Sequence, residues 1–258
     1  MLKFSNANAK TQALANDAEL AEYLQGNRKI YSLDLLSGWS CPHAKDCLSK
    51  AIVQDNGKRK IKDGKDTKFR CFSASQEVQY TNVYNSRKHN FDLLRKQNHE
   101  EMVKLINSSL PENAGIVRIH VAGDFFSLPY MHAWYMVAAL NPNVLFYAYT
   151  KSLKFWVGGI NELPILHNFV LTASYGGRDD HMIDEFNLRS TKVVFSEAEA
   201  EELGLAIDHD NSHAAKPSLR DNSFALLIHG TQPAGSEAST ALKKLKGKGS
   251  YSRKKLKV

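Results

Sequence analysis

The chain has few cysteines and no long apolar run, and both shortages restrict its class. Only three of 258 residues are cysteine, an odd number that argues against a disulfide framework and for a reducing cytoplasm. No run of 18 apolar residues occurs, so we expect no membrane-spanning helix. The first ten residues also lack the apolar stretch of a secretory signal. We therefore expect a cytoplasmic protein with no membrane partner.

Acidic residues are missing from the C-terminal end. After Glu237 the chain has eight Lys or Arg residues and no Asp or Glu. Removing these eight charges from the net charge of +7 leaves residues 1–242 at −1. We predict one α/β catalytic domain over 1–242 and a flexible basic tail over 243–258. Such a tail suits the phosphates of nucleic acid, with DNA favoured, although a tail that only improves solubility is the alternative.

The three cysteines are present within one 31-residue window. Cys41 and Cys47 lie in the segment Ser-Cys-Pro-His-Ala-Lys-Asp-Cys, and Cys71 begins Cys-Phe-Ser-Ala. This clustering favours a shared metal over inert buried thiols, and we predict a metal-binding segment over 37–90.

Two metal centres fit three cysteines. Zinc needs one histidine as a fourth ligand, and His89, with His43 as the alternative, is near in sequence. A [4Fe-4S] cluster needs only the three thiolates and keeps one iron open. The sequence does not choose between zinc and the cluster.

Apolar strands and helices alternate through most of the chain. Helices are predicted over 11–26, 76–108, 129–140 and 237–245, and strands over 30–36, 116–122, 144–149, 168–173, 192–195 and 224–229. The polar segment 54–68 is predicted to be a surface loop. Because such strands are buried on both faces, we expect a mostly parallel sheet in a single barrel-like (β/α) domain, preceded by a helical, cysteine-bearing segment.

Carboxylates follow two of the predicted strands. Asp124 comes directly after a buried strand, where desolvation can raise the pKa of a nucleophile or general base. Asp179 and Asp180 follow a later strand and could supply the acid/base partner. The alternatives are a helix cap at Asp124 and an acidic surface loop at 179–180.

Other residues near the strand ends are candidates for substrate binding. A glycine pair lets backbone approach a flat ligand, a lysine can neutralise a phosphate or carboxylate, and a loop before a helix can bind anions. The candidates are His120, Phe125, Ser127, Lys151, Tyr175, Gly176, Gly177, His229 and Gly230. Structural histidines and a solvated lysine are the alternatives.

Four segments together resemble the phage "gene product 88" family. They are Ser40–Cys47, Cys71–Ala74, Val117–Ser127 and Phe146–Ser152, and the resemblance covers roughly residues 35–180. It implies a phage-encoded protein in the host cell cytoplasm, and the family carries little assigned chemistry.

The inventory of residues is also similar to that of phage relatives of tRNA-guanine transglycosylase, which insert 7-deazaguanines into DNA. Those enzymes are α/β barrels with zinc held by three cysteines and a histidine, although their cysteines come late in the chain. The resemblance implies that Asp124 attacks C1′ of the nucleotide, that Asp179 or Asp180 handles protons, that zinc on the three cysteines and a histidine is structural, and that a small-molecule base is a partner. A phage base transglycosylase that acts on DNA is therefore the leading functional hypothesis.

Two alternatives complete the functional hypotheses. The order of the motifs also looks like a radical-SAM-like barrel, which implies a [4Fe-4S] cluster with S-adenosylmethionine. A protein of another class, a non-catalytic zinc-stabilised DNA-binding protein, would use the same cysteines for stability alone.

Overall fold

The computed structural model describes residues 1–245 and contains one eight-stranded sheet, one two-stranded hairpin and flanking helices. The strands are β1 Phe4–Asn6, β2 Lys29–Leu33, β3 Ser49–Val53, β4 Arg59–Asp63, β5 Ala114–Ile119, β6 Leu145–Thr150, β7 Phe169–Ser174, β8 Ser190–Val194, β9 Ala206–Ile207 and β10 Phe224–Leu227. The α-helices are α1 Ala9–Gln12, α2 Phe72–Gln79, α3 Thr81–Leu94, α4 His99–Ser109, α5 Leu128–Leu140, α6 Leu153–Phe155, α7 His181–Glu185, α8 Glu197–Glu202, α9 Ser212–Ala215 and α10 Glu237–Leu245.

The large sheet is mostly parallel. Its strand order is β1-β2-β5-β6-β7-β8-β10-β9, and only the β1–β2 pair is antiparallel. The expectation of an α/β fold with a mostly parallel sheet is therefore confirmed. Within residues 1–245 β1 and β9 form the two edges of the sheet, so the expected closure into a barrel is not seen.

The two faces of the sheet are covered differently. On one face, Ile119 and Phe146 pack against Trp134 of α5 in the largest hydrophobic core. On the other face, Leu14 and Leu20 from the N-terminal segment cover residues near the starts of the strands. The carboxyl ends of the strands on that second face are thus left for a cavity.

The predicted helix over 11–26 is a short α1 followed by two 3-10 helices, Ala13–Asn16 and Ala18–Leu24. The break lies at Asp17, whose backbone is extended and whose side chain accepts a hydrogen bond from the backbone N–H of Glu19. An aspartate that caps a new helical turn in this way competes with continuation of the first one.

The predicted long helix over 76–108 is three helices, α2, α3 and α4. The first break is at Tyr80, which has an extended backbone with φ −116° and ψ 110°. The second is at Asn98, which forms a capping box with Glu101 and so starts α4. Each break is caused by the backbone or side chain of one or two residues, and three shorter helices take the place of the predicted long one.

The segment predicted as a surface loop, 54–68, contains β4. This strand pairs antiparallel with β3 to form a hairpin between Cys47 and Cys71. Ala51 of β3 is buried on the side of the hairpin that packs against the protein. Residues from 246 onward, which include most of the predicted basic tail, lie outside the described residues. None of the helices in residues 1–245 is long and apolar enough to cross a membrane.

Candidate active site

A cavity of about 180 Å³ lies against the second face of the sheet, at the carboxyl ends of the parallel strands. Five adjacent strands, β5, β6, β7, β8 and β10, contribute alternate residues or the residues directly after them. These are Arg118, His120, Tyr149, Lys151, Ser174, Val193, Leu226 and Ile228. Because side chains alternate along a strand, these eight residues lie on one face of the sheet.

All three cysteines line this cavity, and none of them is in a disulfide. Cys41 Sγ accepts a hydrogen bond from the backbone N–H of Gly38 at 3.3 Å. Cys71 is the N-cap residue directly before α2, and its own N–H donates to Ser49 Oγ at 3.3 Å. The structure thus brings together three thiols that the sequence separates by up to 30 positions.

The thiols lie in an environment that opposes their ionisation. Burial raises the pKa of Cys41 and raises that of Cys47 to about 11, and the neighbouring thiols add to both effects. Burial also raises the pKa of Cys71, although backbone N–H groups at the start of α2 lower it in part. The positive charge of Lys151 lowers the pKa of Cys47. Without a bound metal the three groups are therefore protonated at neutral pH.

Neither histidine predicted as a fourth ligand lines the cavity. His43 Nδ1 lies 2.7 Å from Asp179 Oδ2, and its ring packs edge-on against Phe155. His89 is on α3, where its Nε2 lies 2.9 Å from the backbone oxygen of Met1. Within residues 1–245, no three His, Cys, Asp or Glu side chains are grouped closely enough to hold a metal ion as they stand.

Asp124 lines the cavity, but both of its carboxylate oxygens already accept hydrogen bonds. Oδ1 accepts from the Phe125 N–H at 2.7 Å and from Thr150 Oγ1 at 2.6 Å, and Oδ2 accepts from the Lys151 N–H at 2.8 Å. Burial raises its pKa, and these hydrogen bonds oppose that rise. The side chain therefore ties the end of β5 to the end of β6.

The other two predicted catalytic carboxylates hold the loop after β7. Asp179 pairs with His43 and with Lys154, whose Nζ is 2.9 Å from Oδ1. Asp180 accepts hydrogen bonds from the backbone N–H groups of Gly176 and Gly177, each at 2.8 Å. Neither aspartate is among the residues that line the cavity, so the structure does not bring a second carboxylate to Asp124.

Three of the predicted substrate-binding residues, His120, Lys151 and His229, line the cavity. Lys151 is buried, and its Nζ donates to the backbone oxygen of Ser174 at 3.3 Å and to its Oγ at 2.5 Å. The His229 ring packs against Phe72 with 4.8 Å between ring centroids.

The remaining predicted substrate-binding residues have structural contacts. Phe125 lies in the hydrophobic core, and Ser127 caps the start of α5. Tyr175 Oη donates to Asp184, while Gly176 and Gly177 contact the cysteine-bearing segment. Gly230 has φ +78° and passes so close to Phe72 that an added Cβ would lie 2.5 Å from Phe72 Cβ.

A further polar group lines the cavity, and its members are not among the predicted site residues. Asn211 Oδ1 accepts hydrogen bonds from Arg118 Nη1 at 3.0 Å and from Tyr149 Oη at 3.3 Å. Lys10 Nζ donates to the backbone oxygen of Asp208 at 3.3 Å. Arg118 lies two residues before His120, so the strand pattern already placed the two side chains on the same face of the sheet. Lys10 and Asn211 come from opposite ends of the chain, and no local pattern links them.

His120 has an unusual conformation and an unusual environment. Its φ is +67°, in the left-handed region that few residues other than glycine and asparagine adopt. Nε2 lies 2.9 Å from Tyr130 Oη, and Nδ1 is buried without a hydrogen-bond partner among the described residues. Burial lowers the pKa of His120 to about 3. Such an outlier at a cavity wall is typical of a functional position.

We predict that His120 makes the protein sensitive to mild acid. Because its folded-state pKa is below that of an ordinary histidine, the unfolded chain gains a proton as the pH falls below 6.5 and stability is lost. At pH 5.5 the loss from this group is about 1.4 kcal/mol relative to pH 7.5. In the variant His120→Asn the new side chain tolerates the positive φ and cannot titrate. Between pH 7.5 and 5.5 its free energy of unfolding in urea should therefore fall by about 1.4 kcal/mol less than that of the unmodified protein.

The matched control is His167→Asn, since His167 is exposed. It should lose as much stability between pH 7.5 and 5.5 as the unmodified protein does. An equal loss in His120→Asn and the unmodified protein would contradict this account of His120.

Comparison with known proteins gives two matches. A family model described as "Gene product 88" matches residues 1–246. The "Gene 88 protein" of Mycobacterium phage L5 is 28% identical over 155 residues, which cover 53% of this chain and 57% of the relative. The match therefore spans little more than half the length of that relative. No solved structure matches the chain.

Proposed function

The chain belongs to the gene product 88 family, and we propose that this phage protein is an enzyme whose active site is the cavity. In this proposal Cys41, Cys47 and Cys71 hold a four-iron cluster with one iron open to the cavity. The observation that carries the proposal is that all three thiols of the chain line one cavity at the carboxyl ends of parallel strands. That edge of a parallel sheet is where α/β enzymes hold their reactive groups.

The number of available protein ligands favours a cluster over zinc. A structural zinc site needs four protein ligands, whereas a four-iron cluster with an open iron needs three. His43 is engaged by Asp179, and His89 lies against the N-terminus. Three thiols on one cavity wall, with neither of the predicted histidine ligands beside them, are the donor set that the cluster requires.

Ligation requires two changes at the thiols. They must lose their protons, which the charge of Lys151 and the backbone N–H groups at the start of α2 both favour. Their side chains must also turn toward one another between staggered χ1 rotamers, because they are not grouped at ligating distance as they stand. Both changes concern side chains whose segments already lie beside the cavity. Cys41 accepts a hydrogen bond from Gly38, and Cys71 donates one to Ser49.

The cavity residues would bind and orient the reactant. A four-iron cluster with an open iron supplies electrons and a coordination position when it is bound. We propose S-adenosylmethionine as the ligand of that position, with its carboxylate on the part of the cavity wall that carries the positive charges of Lys151 and Arg118. Apolar side chains such as Val193, Leu226 and Ile228 would exclude water from the same space.

The alternative of a base transglycosylase has less support. Its chemistry needs a carboxylate free to attack an anomeric carbon and a second one to transfer protons. The three hydrogen bonds that engage both oxygens of Asp124, and the absence of Asp179 and Asp180 from the cavity lining, argue against this pair.

Five single variants of the full chain test the proposal after anaerobic loading with iron and sulfide. We expect Cys41→Ser, Cys47→Ser and Cys71→Ser each to lose most of the bound iron and the visible absorption. His43→Gln and His89→Gln should keep both, because neither histidine is a ligand in this proposal. Far-UV circular dichroism checks that each variant folds, and calorimetric titration with S-adenosylmethionine should show binding to the loaded chain only.

Two outcomes would overturn the cluster. Metal binding that is lost as fully in a histidine variant as in the cysteine variants would establish a four-ligand centre. Iron content unchanged in the folded cysteine variants would show that the thiols are not ligands.

A further inference from the structure

One face of the β3–β4 hairpin carries a row of lysines. In this antiparallel pair Lys50 is directly opposite Lys62, and Ile52 is opposite Lys60. Because cross-strand neighbours and residues two apart share a face, the three lysines project from the same side of the hairpin. Lys60 and Lys62 are exposed, so this side is turned to solvent.

The opposite side of the hairpin faces the protein. Ala51 is 1% exposed, and Arg59 donates from Nε to the backbone oxygen of Glu77 in α2. Asp63, on this inner side, pairs with Arg70. None of Lys50, Lys60 and Lys62 forms an ion pair with a carboxylate in residues 1–245.

An exposed tryptophan stands beside the lysines. Trp39 is 46% exposed, and its Nε1 donates to the backbone oxygen of Ala51 at 3.2 Å, which fixes the ring against the hairpin. Lys50 Nζ lies 4.5 Å from the centroid of the ring. We call Trp39, Lys50, Lys60 and Lys62 together the basic hairpin face.

The charge arrangement is unfavourable by itself. Like charges directly opposite in an antiparallel pair repel and destabilise the hairpin, and no described carboxylate offsets this repulsion. An exposed, immobilised tryptophan is also depleted on ordinary protein surfaces, because it leaves apolar area in water. A bound polyanion with flat groups would relieve both effects, because it would neutralise the lysines and cover the exposed ring.

We propose that the basic hairpin face binds single-stranded nucleic acid. The lysines neutralise successive phosphates, and a base stacks on the indole of Trp39. Sites for single-stranded nucleic acid combine a row of cationic side chains with an aromatic ring on which a base stacks. An acidic peptide would supply the negative charges but no base to stack on the ring. This surface differs from the basic tail, and the proposal does not depend on the cluster.

The position of the face relates it to the cavity. The hairpin is inserted between Cys47 and Cys71, and Ser49 Oγ at its base accepts a hydrogen bond from the Cys71 N–H. Gly38, next to Trp39, approaches the backbone oxygen of Ser49 so closely that an added Cβ would lie 2.5 Å from it. A strand bound on the face would therefore pass the cysteine-bearing edge of the cavity.

The test is fluorescence anisotropy with labelled oligothymidylate and oligouridylate of about 20 nucleotides, a length that exceeds the usual site sizes of 4–16. It uses the full chain and a series of salt concentrations. The triple variant Lys50→Gln, Lys60→Gln, Lys62→Gln should reduce the slope of log K against log salt by about 2, since each phosphate contact on a single strand contributes about 0.7. Trp39→Ala should weaken binding roughly tenfold, and Trp39→Phe should retain most of the affinity.

The matched control is the triple variant Lys3→Gln, Lys96→Gln, Lys104→Gln, which removes the same charge from exposed lysines outside the hairpin. It should leave the slope unchanged. The proposal is overturned if neither probe binds, if both triple variants lose the same slope, or if neither loses any, because binding would then belong elsewhere. Tighter binding of one probe identifies the nucleic acid as DNA or RNA, and either result supports the proposal. Circular dichroism verifies that every variant is folded.

Discussion

Replacing Arg87 with methionine is expected to lower the free energy of unfolding by about 3–5 kcal/mol. Arg87 is 5% exposed, and its Nη1 donates to Glu77 Oε1 at 3.2 Å. Glu77 is fully buried, so the variant leaves a carboxylate in the interior without its counter-charge. Urea denaturation followed by circular dichroism measures the loss.

The expected effect is large because this ion pair joins three segments. Glu77 Oε1 also accepts from the N–H of Ser37 at 2.9 Å and from its Oγ at 2.6 Å, and Ser37 begins the turn that leads to Cys41. Arg87 Nη1 further donates to the backbone oxygen of Ser73, just after Cys71. The pair therefore holds two of the three thiol-bearing segments in place.

The loss at Arg87→Met should depend on pH. Burial already raises the pKa of Glu77, and removing the guanidinium that lowers it raises it further. As the pH falls from 8 to 5, the folded variant protonates Glu77 more readily than the unfolded chain does, so the deficit shrinks.

Two further variants serve as controls for Arg87→Met. The double variant Arg87→Met, Glu77→Met should recover most of the stability, because the fully buried carboxylate is removed together with its partner. Asp34, which lies 3.7 Å from the Arg87 guanidinium, keeps its hydrogen bonds from the Val121 and Ala122 N–H groups. Arg95→Met removes an exposed arginine at the end of the same helix, where its pairing with Asp92 should be worth less than about 1 kcal/mol. A loss below 1 kcal/mol in Arg87→Met itself would contradict the role assigned to the buried pair.

Alanine at Gly38 is expected to cost about 3 kcal/mol or more, from two separate causes. Gly38 has φ +68°, which costs a residue with a Cβ about 1–2 kcal/mol. Its added Cβ would also lie 2.5 Å from the backbone oxygen of Ser49, which cannot move without displacing β3. The backbone shift that relieves this contact would also move the Gly38 N–H away from Cys41 Sγ, so the same variant should reduce iron loading.

Gly26→Ala separates the two causes. Gly26 has nearly the same φ, +66°, but nothing lies within 4 Å of its added Cβ. It should cost only about 1–2 kcal/mol for the backbone strain, as measured by urea denaturation. Equal losses at the two glycines would mean that the close approach between the cysteine segment and the hairpin does not constrain the fold.

The parallel sheet could be predicted because its strands are apolar on both faces and alternate with helices. The breaks in the long helix were less visible, although Asn98 and Glu101 have the spacing of a capping box. Closure of a barrel could not be predicted from periodicity, since it depends on whether edge strands such as β1 and β9 find each other in space.

The candidate site was predictable where a rare residue type marked it. Three cysteines in a short window indicated one site, and all of them line the cavity. The carboxylates were harder to interpret, because a strand-end aspartate looks the same in sequence whether it is free or, like Asp124, engaged by backbone N–H groups and a hydroxyl. Lys10 and Asn211 reach the cavity only through long-range packing, which no local sequence pattern predicts.

The iron and acid-labile sulfide content of the full chain, purified without oxygen, shows whether the three cysteines hold a four-iron cluster. We expect about four irons and four sulfides per chain and a brown solution. One zinc per chain without sulfide, or no bound metal at all after anaerobic reconstitution, would contradict this expectation.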